Sequence, residues 1–288
     1  MIEKLKILSE LTKIRITSFV TLTTVFGYIC YSREFSSNIL AAVFGILLLA
    51  CGSAVINHIQ EYKADALMER TQNRPLPSGR ISVQNAAIVA ILLVITGSVL
   101  LSLNGIVPVG LGLLNLFWYN VVYTPLKKVS QIAIIPGSLV GAIPPAVGWT
   151  SAGGNIFDPQ ILVISFFFFI WQIPHFWLLL MVLAKDYEKA GFPTLTQVFN
   201  TKQLSRITFV WIVATVVTSM LIPLFGIVNN PGFYFALLAA GVWLTWSASK
   251  FLKDKDQKMN FRFAFREINI FAVLVMLIIS IDQIFIFI

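Results

Sequence analysis

Asn57, Glu61 and Asp65 stand four residues apart at the end of a long apolar segment. On a helix, positions i, i+4 and i+8 share roughly one face. Three oxygen-bearing side chains stacked there suit a hard cation such as Mg²⁺, which takes carboxylate and amide oxygens and shares its shell with phosphates. Arg70 and Arg74 follow at the same spacing and could grip a diphosphate. Further on, Asp186 and Glu188 stand between Lys185 and Lys189. Carboxylates repel a diphosphate unless a divalent cation bridges them. Two acidic clusters mixed with bases therefore make sense for a Mg²⁺-diphosphate and little sense for a bare anion. A solvated helix with ordinary i,i+4 charge pairs has the same spacing, so the surroundings must decide.

Other polar marks interrupt apolar stretches. Lys127 and Lys128 close the run Tyr123-Thr124-Pro125-Leu126. They read either as anchors at a membrane face or as point charges within reach of a phosphate. Trp171-Gln172-Ile173-Pro174-His175-Phe176-Trp177 puts Gln172 and His175 at i, i+3 inside an apolar span. Polar groups at that depth are costly and usually face the protein interior. His175 is open to three readings: a satisfied core residue, a haem ligand or a proton donor. His58 points off the Asn57/Glu61/Asp65 face. Trp118, Tyr119, Trp149, Trp171 and Trp177 suit a membrane-interface belt or the walls of a flat aromatic pocket. Cys30 and Cys51 both fall in apolar segments and read as small buried side chains.

The elements that must position these residues are transmembrane helices. The 288 residues are 57% hydrophobic and only 12% charged, about half the charged share of a soluble domain. Mean hydropathy is +0.83. The expected fold is an all-α polytopic membrane protein, a single domain over 1–288. Nine apolar stretches long enough to span, or nearly so, run over 14–32, 38–58, 85–103, 106–123, 131–150, 160–183, 205–225, 232–250 and 268–287. The weakest is 131–150, which Pro136, Pro144 and Pro145 interrupt. The first residues lack the patterns of a cleavable signal or transit peptide, which favours a bacterial plasma membrane.

Loop charge orients the nine spans. Twenty of the 21 basic residues fall on one side of this alternation, and only Arg33 falls on the other. The excess of Lys and Arg marks the cytoplasmic side. The expected topology has the N-terminus inside and the C-terminus outside, with both acidic clusters on the inner face. The net charge of +8 is then mostly topology, with some left for anionic lipid and anionic substrate. It is not a nucleic-acid footprint.

Four blocks carry a family resemblance over essentially the whole chain. They are Asn57…Glu61…Asp65 running into Met68-Glu69-Arg70-Thr71-Gln72-Asn73-Arg74-Pro75-Leu76; Tyr123-Thr124-Pro125-Leu126-Lys127-Lys128; Gly141-Ala142-Ile143-Pro144-Pro145-Ala146-Val147-Gly148-Trp149; and Trp171–Trp177 followed by Asp186-Tyr187-Glu188-Lys189-Ala190-Gly191-Phe192-Pro193. In this order they resemble the UbiA-type intramembrane prenyltransferases, and within them the branch that farnesylates haem. The resemblance implies nine transmembrane helices around a central cavity, with the site at its cytoplasmic end. It implies farnesyl diphosphate as donor, haem B as acceptor, Mg²⁺ as the metal and haem O as product. A haem A synthase or a terminal oxidase assembly would be the partner that receives it. By position, Asn57, Glu61, Asp65 and Asp186 would form the catalytic, metal-holding set. Arg70, Arg74 and Lys127 would neutralise the departing diphosphate, and His175, Gln172 and Trp171 would sit near the haem.

Two departures stand out. The second acidic motif of the superfamily is usually DxxxD, and here Ala190 follows Asp186 by four. That form fits the haem branch better than the quinone branch. In Thr12-Lys13-Ile14-Arg15, Ile stands where the family generally has Pro, with Lys13 and Arg15 still available near the phosphates. The rival readings are prenylation of an aromatic or quinone precursor, and a non-catalytic haem or lipid carrier.

Overall fold

The computed structural model describes residues 2–34, 36–250, 252 and 257–285. Among them every regular element is helical. We number the main helices α1 (Ile2–Leu11), α2 (Ile14–Ser32), α3 (Ile39–Asp65), α4 (Val83–Ser102), α5 (Ile106–Leu126), α6 (Leu139–Ser151), α7 (Pro159–Lys189), α8 (Thr201–Leu221), α9 (Pro231–Lys250) and α10 (Gln257–Phe285). Eight of them are long and apolar enough to cross a membrane: α2–α5 and α7–α10. Lys253 and Lys255 of the last inner loop, and positions 286 and 287 of the last expected span, lie outside the described residues.

The segment expected at 131–150 is helical but broken. A four-residue turn, Ile134–Gly137, gives way at Ser138 to the 13 residues of α6. A span needs about 20 helical residues. Pro136, Pro144 and Pro145 each remove a backbone donor, and the Ser138 N–H turns back to the carbonyls of Ile134 and Ile135. Packing sustains α6 despite its prolines. It lies against α2, α5 and α7. At its contact with α2 the two backbones nearly touch: a Cβ on Gly148 would lie 1.9 Å from the Thr24 carbonyl oxygen, and one on Gly27 would lie 2.0 Å from that of Pro145. Close backbone approach at small residues is how helices associate where lipid removes the hydrophobic drive.

Helix limits shift where polar residues finish an apolar run. α3 continues seven residues past the apolar run, to Asp65, and α7 runs to Lys189. Both extensions carry the acidic side chains. The first residues also form a helix, α1, joined to α2 through Lys13 at φ 50 and ψ 44. That left-handed conformation costs a non-glycine residue roughly 1 kcal/mol. The core joins α2, α3, α7, α9 and α10 through Phe26, Leu49, Phe167, Phe168, Leu244 and Phe271.

Candidate active site

The polar end of α3 carries a dense network of buried side-chain contacts. Asn57, Glu61 and Asp65 are 1%, 7% and 1% exposed, and each meets one basic side chain. Lys13 Nζ donates to Asn57 Oδ1 at 2.6 Å. Lys127 Nζ lies 2.7 Å from Glu61 Oε1 and donates to Oε2 at 2.9 Å. Arg74 Nη1 reaches both Asp65 oxygens, at 2.9 and 2.8 Å. The strained turn at Lys13 delivers that ammonium to the site. The 68–82 loop folds Arg74 back, held by Thr71 Oγ1 donating to the Asp65 carbonyl at 2.8 Å.

Lys127 arrives through an unusual helix. α5 winds as a π-helix over Trp118–Tyr123 before Thr124, a geometry found mostly as single turns at functional sites. Its residues lock onto α3. Asn57 Nδ2 donates to Thr124 Oγ1 at 3.1 Å, Ser53 Oγ donates to Asn120 Oδ1 at 2.6 Å, and Gln60 Nε2 donates to the Asn120 carbonyl at 2.9 Å. Three of these groups, Ser53, Gln60 and Asn120, lie outside the residues that the sequence singles out. An Asn inside an apolar span is the signal that marks Asn120.

The site is electrostatically poised for a polyanion. Three cations surround two carboxylates and an amide. Burial, then the charges of Arg74 and Lys127, push the Lys13 ammonium down to about 7. Burial works against the Lys127 charge, but the Glu61 carboxylate together with the hydroxyls of Tyr123, Tyr119 and Tyr187 outweighs it and holds Lys127 above the ordinary lysine value. Beside this cluster an open cleft is lined by Lys6, Glu10, Lys13, Arg70, Asn73, Arg74, Ser78 and Arg80. Arg70 is exposed in that cleft, whereas Arg15 is exposed on α2 and makes no hydrogen bond or ion pair among the described residues.

The second acidic stretch comes near without joining the first. Phe192 lies 5.8 Å from Lys127 Nζ, and its ring meets Tyr187 at 5.5 Å. Glu188 is engaged locally, accepting from Thr194 Oγ1 at 2.7 Å and Thr196 Oγ1 at 2.8 Å. Glu69 and Lys189 tie the two loops at 2.6 Å. Asp186 is half-buried, and its carboxylate makes no hydrogen bond or ion pair among the described residues. No three His, Cys, Asp or Glu side chains converge among the described residues. The donors at α3 do fit Mg²⁺ chemically. They are oxygen donors, and Glu61 Oε1 is buried without a hydrogen-bond partner, with an ammonium 2.7 Å away.

Deeper on α7, His175 lies between aromatic rings, 4.7 Å from Trp171 and 4.9 Å from Phe265. Its Nδ1 is 2.8 Å from Asn269 Oδ1. Trp171 Nε1 donates to the Ile268 carbonyl at 3.0 Å. Gln172 lies against Gly141, where an added Cβ would meet its Oε1 at 2.4 Å. Phe176 joins the two regions, stacking 6.0 Å from Tyr123, whose ring lies 5.6 Å from Lys127 Nζ.

Residues 20–271 match the model of the UbiA prenyltransferase family. The chain is 32% identical over 280 residues to the protoheme IX farnesyltransferase of Oleidesulfovibrio alaskensis, covering 97% of both chains. It is 37% identical over 206 residues to that of Geobacter sulfurreducens (72% of this chain, 76% of the other), and 34% identical over 258 residues to that of Aquifex aeolicus, covering 88% of both. Among solved structures, digeranylgeranylglyceryl phosphate synthase superposes with a TM-score of 0.79 at 19% identity, covering 98% of this chain and 99% of that one. The UbiA homolog of Archaeoglobus fulgidus bound to GPP and Mg²⁺ gives 0.72 at 15% identity, covering 96% and 99%. These likenesses extend the fold match, and the curated relatives extend the sequence match, along nearly the whole chain. The chain belongs to the UbiA prenyltransferase family.

Proposed function

We propose that the protein transfers a farnesyl group from farnesyl diphosphate to a vinyl group of haem B, with addition of water, giving haem O. The observation that carries this reading is the one-to-one matching of Asn57, Glu61 and Asp65 with Lys13, Lys127 and Arg74. A set of alternating acids and bases receives a diphosphate and its metal together. Relatives spanning nearly this whole chain bear the name protoheme IX farnesyltransferase, which supports haem as the acceptor.

Asn57, Glu61 and Asp65 would hold Mg²⁺, and Asp186 would join them from the opposite side once a metal-diphosphate draws the two acidic stretches together. When bound, the metal offsets charge building on the diphosphate oxygens as the allylic C–O bond breaks. Arg74 and Lys127 leave their carboxylates for the phosphates, and Lys13 and Arg70 approach from the cleft. Their charge stabilises the leaving group most as it departs, which lowers the barrier rather than merely tightening binding. The allylic cation is attacked by the vinyl carbon of haem. Water adds to the resulting benzylic-type cation and loses a proton, so diphosphate and one proton leave. The aromatic walls Tyr123, Phe176 and Trp171 keep water from the first cation. His175, Gln172 and Trp171 form the haem side.

The whole chain acts as one domain with nine membrane crossings, the ninth being the broken segment 134–151, whose short α6 is completed by packing against α2, α5 and α7. The excess of Lys and Arg in the loops on one side supports a site on the cytoplasmic side of a bacterial inner membrane, with the N-terminus inside and the C-terminus outside. A haem A synthase or oxidase assembly would consume the product.

The test is diphosphate release by purified protein given farnesyl diphosphate and one acceptor at a time. Release that depends on haem B supports the reading. Release with a phenolic acid and none with haem B moves the chain to the quinone branch. Haem binding without release from any acceptor leaves a carrier.

A further inference from the structure

The contact between α7 and α10 fixes more than the position of His175. Asn269 Nδ2 donates to the Phe265 carbonyl at 2.5 Å. A carbonyl only accepts, so the amide nitrogen must face it and the amide oxygen must face His175. That oxygen also only accepts, so the proton of the neutral imidazole sits on Nδ1, 2.8 Å away. Nε2 therefore carries the lone pair. Trp171 and Phe265 flank the ring at 4.7 and 4.9 Å and oppose its rotation. Nε2 makes no hydrogen bond among the described residues, yet it is not sealed in the core as both nitrogens of His58 are. One turn away, the half-buried Gln172 amide also lacks a hydrogen-bond partner among the described residues. Two open polar groups on one stretch of a membrane helix are costly without a ligand.

We propose that Asn269 is a positioning residue that holds the His175 imidazole in its Nδ1–H form, so that Nε2 presents its lone pair to the iron of the porphyrin acceptor. This rests on haem being the acceptor. Its physical basis is the second-shell rule for histidine ligands: the hydrogen bond at one nitrogen sets the tautomer, orientation and basicity of the other.

The experiment uses the full-length protein in nanodiscs with haem B alone, reduced, and reads the iron–histidine stretch by resonance Raman together with haem affinity. The wild type should show that band. H175A should lose it. N269L should weaken haem binding by roughly ten- to a hundredfold and shift the band down. N269D, a stronger acceptor for the Nδ1 proton, should restore affinity and shift the band up. A wild-type band unchanged in H175A, or N269L and N269D indistinguishable from wild type, would overturn the assignment while haem farnesylation by the same preparation still stood. A wild type that neither binds nor farnesylates haem would remove the acceptor reading, and this inference with it.

Discussion

Lys127 and Glu61 are separated by 66 residues in the chain and by 2.7 Å in space. One ends the π-wound helix, the other lies on the polar end of α3, and both side chains are largely buried, at 17% and 8% exposed. Removing either partner alone strands a buried charge, which costs about 3–5 kcal/mol. K127M and E61Q should each lower the thermal midpoint. The double variant K127M/E61Q should recover most of that loss and still fail to turn over. Thermal unfolding followed by size exclusion, alongside diphosphate release, reads both. A double variant no more stable than the worse single one would contradict the pairing.

Asp186 should behave in the opposite way. Its carboxylate has no hydrogen bond or ion pair among the described residues, so folding asks little of it. D186A should keep the wild-type unfolding temperature and lose at least a hundredfold in turnover, about 2.7 kcal/mol of transition-state stabilisation. The loss should appear in the Mg²⁺ requirement as well as in kcat. An active D186A enzyme with normal Mg²⁺ dependence would remove Asp186 from the metal set.

The α2–α6 contact gives a purely structural prediction. G148A would drive a methyl group to 1.9 Å from the Thr24 carbonyl oxygen. The helices must separate, at a cost of about 1–3 kcal/mol. At Gly110 an added Cβ has nothing within 4 Å, and G110A should stabilise α5 by up to about 1 kcal/mol. The two alanine variants should therefore move the thermal midpoint in opposite directions.

On the far side of the molecule from the α3 cluster in the chain's alternation, Asp282 closes the α8–α9 loop onto α10. Its carboxylate accepts from the Asn229 and Asn230 N–H groups at 2.8 and 3.0 Å. D282A should lose roughly 1.5–3 kcal/mol, the worth of hydrogen bonds to a charged group. Its KM for farnesyl diphosphate should not change. A normal unfolding temperature in D282A would show that the loop is held by something else.

The sequence makes the i,i+4 set on α3 visible, because helix periodicity needs no tertiary information. Apolar runs likewise reveal the eight long helices. The broken helix at 134–151 follows from prolines that composition alone cannot weigh against packing, since α2, α5 and α7 supply what α6 lacks. Three features depend on tertiary contact and leave weaker marks. The π-helix is an irregularity that Asn120 and Thr124 sustain by bonding to α3. The left-handed Lys13 turn is paid for by its bond to Asn57. Asn269 meets His175 across 94 residues of chain, and no local pattern carries such a distance. Asp186 shows the limit from the other side: its spacing suggests a metal ligand, while its place in the fold leaves it apart from Glu61 and Asp65.

The central claim is haem farnesylation at a metal-diphosphate site on α3. The most direct measurement incubates the purified protein in nanodiscs with farnesyl diphosphate, haem B and Mg²⁺, and weighs the porphyrins by mass spectrometry, with EDTA in a parallel tube and E61A and D65A beside the wild type. The account predicts a porphyrin heavier by one farnesyl group and one water, absent with EDTA and absent from both variants. Unmodified haem from an active, folded preparation, or the same product from E61A and D65A, would contradict it.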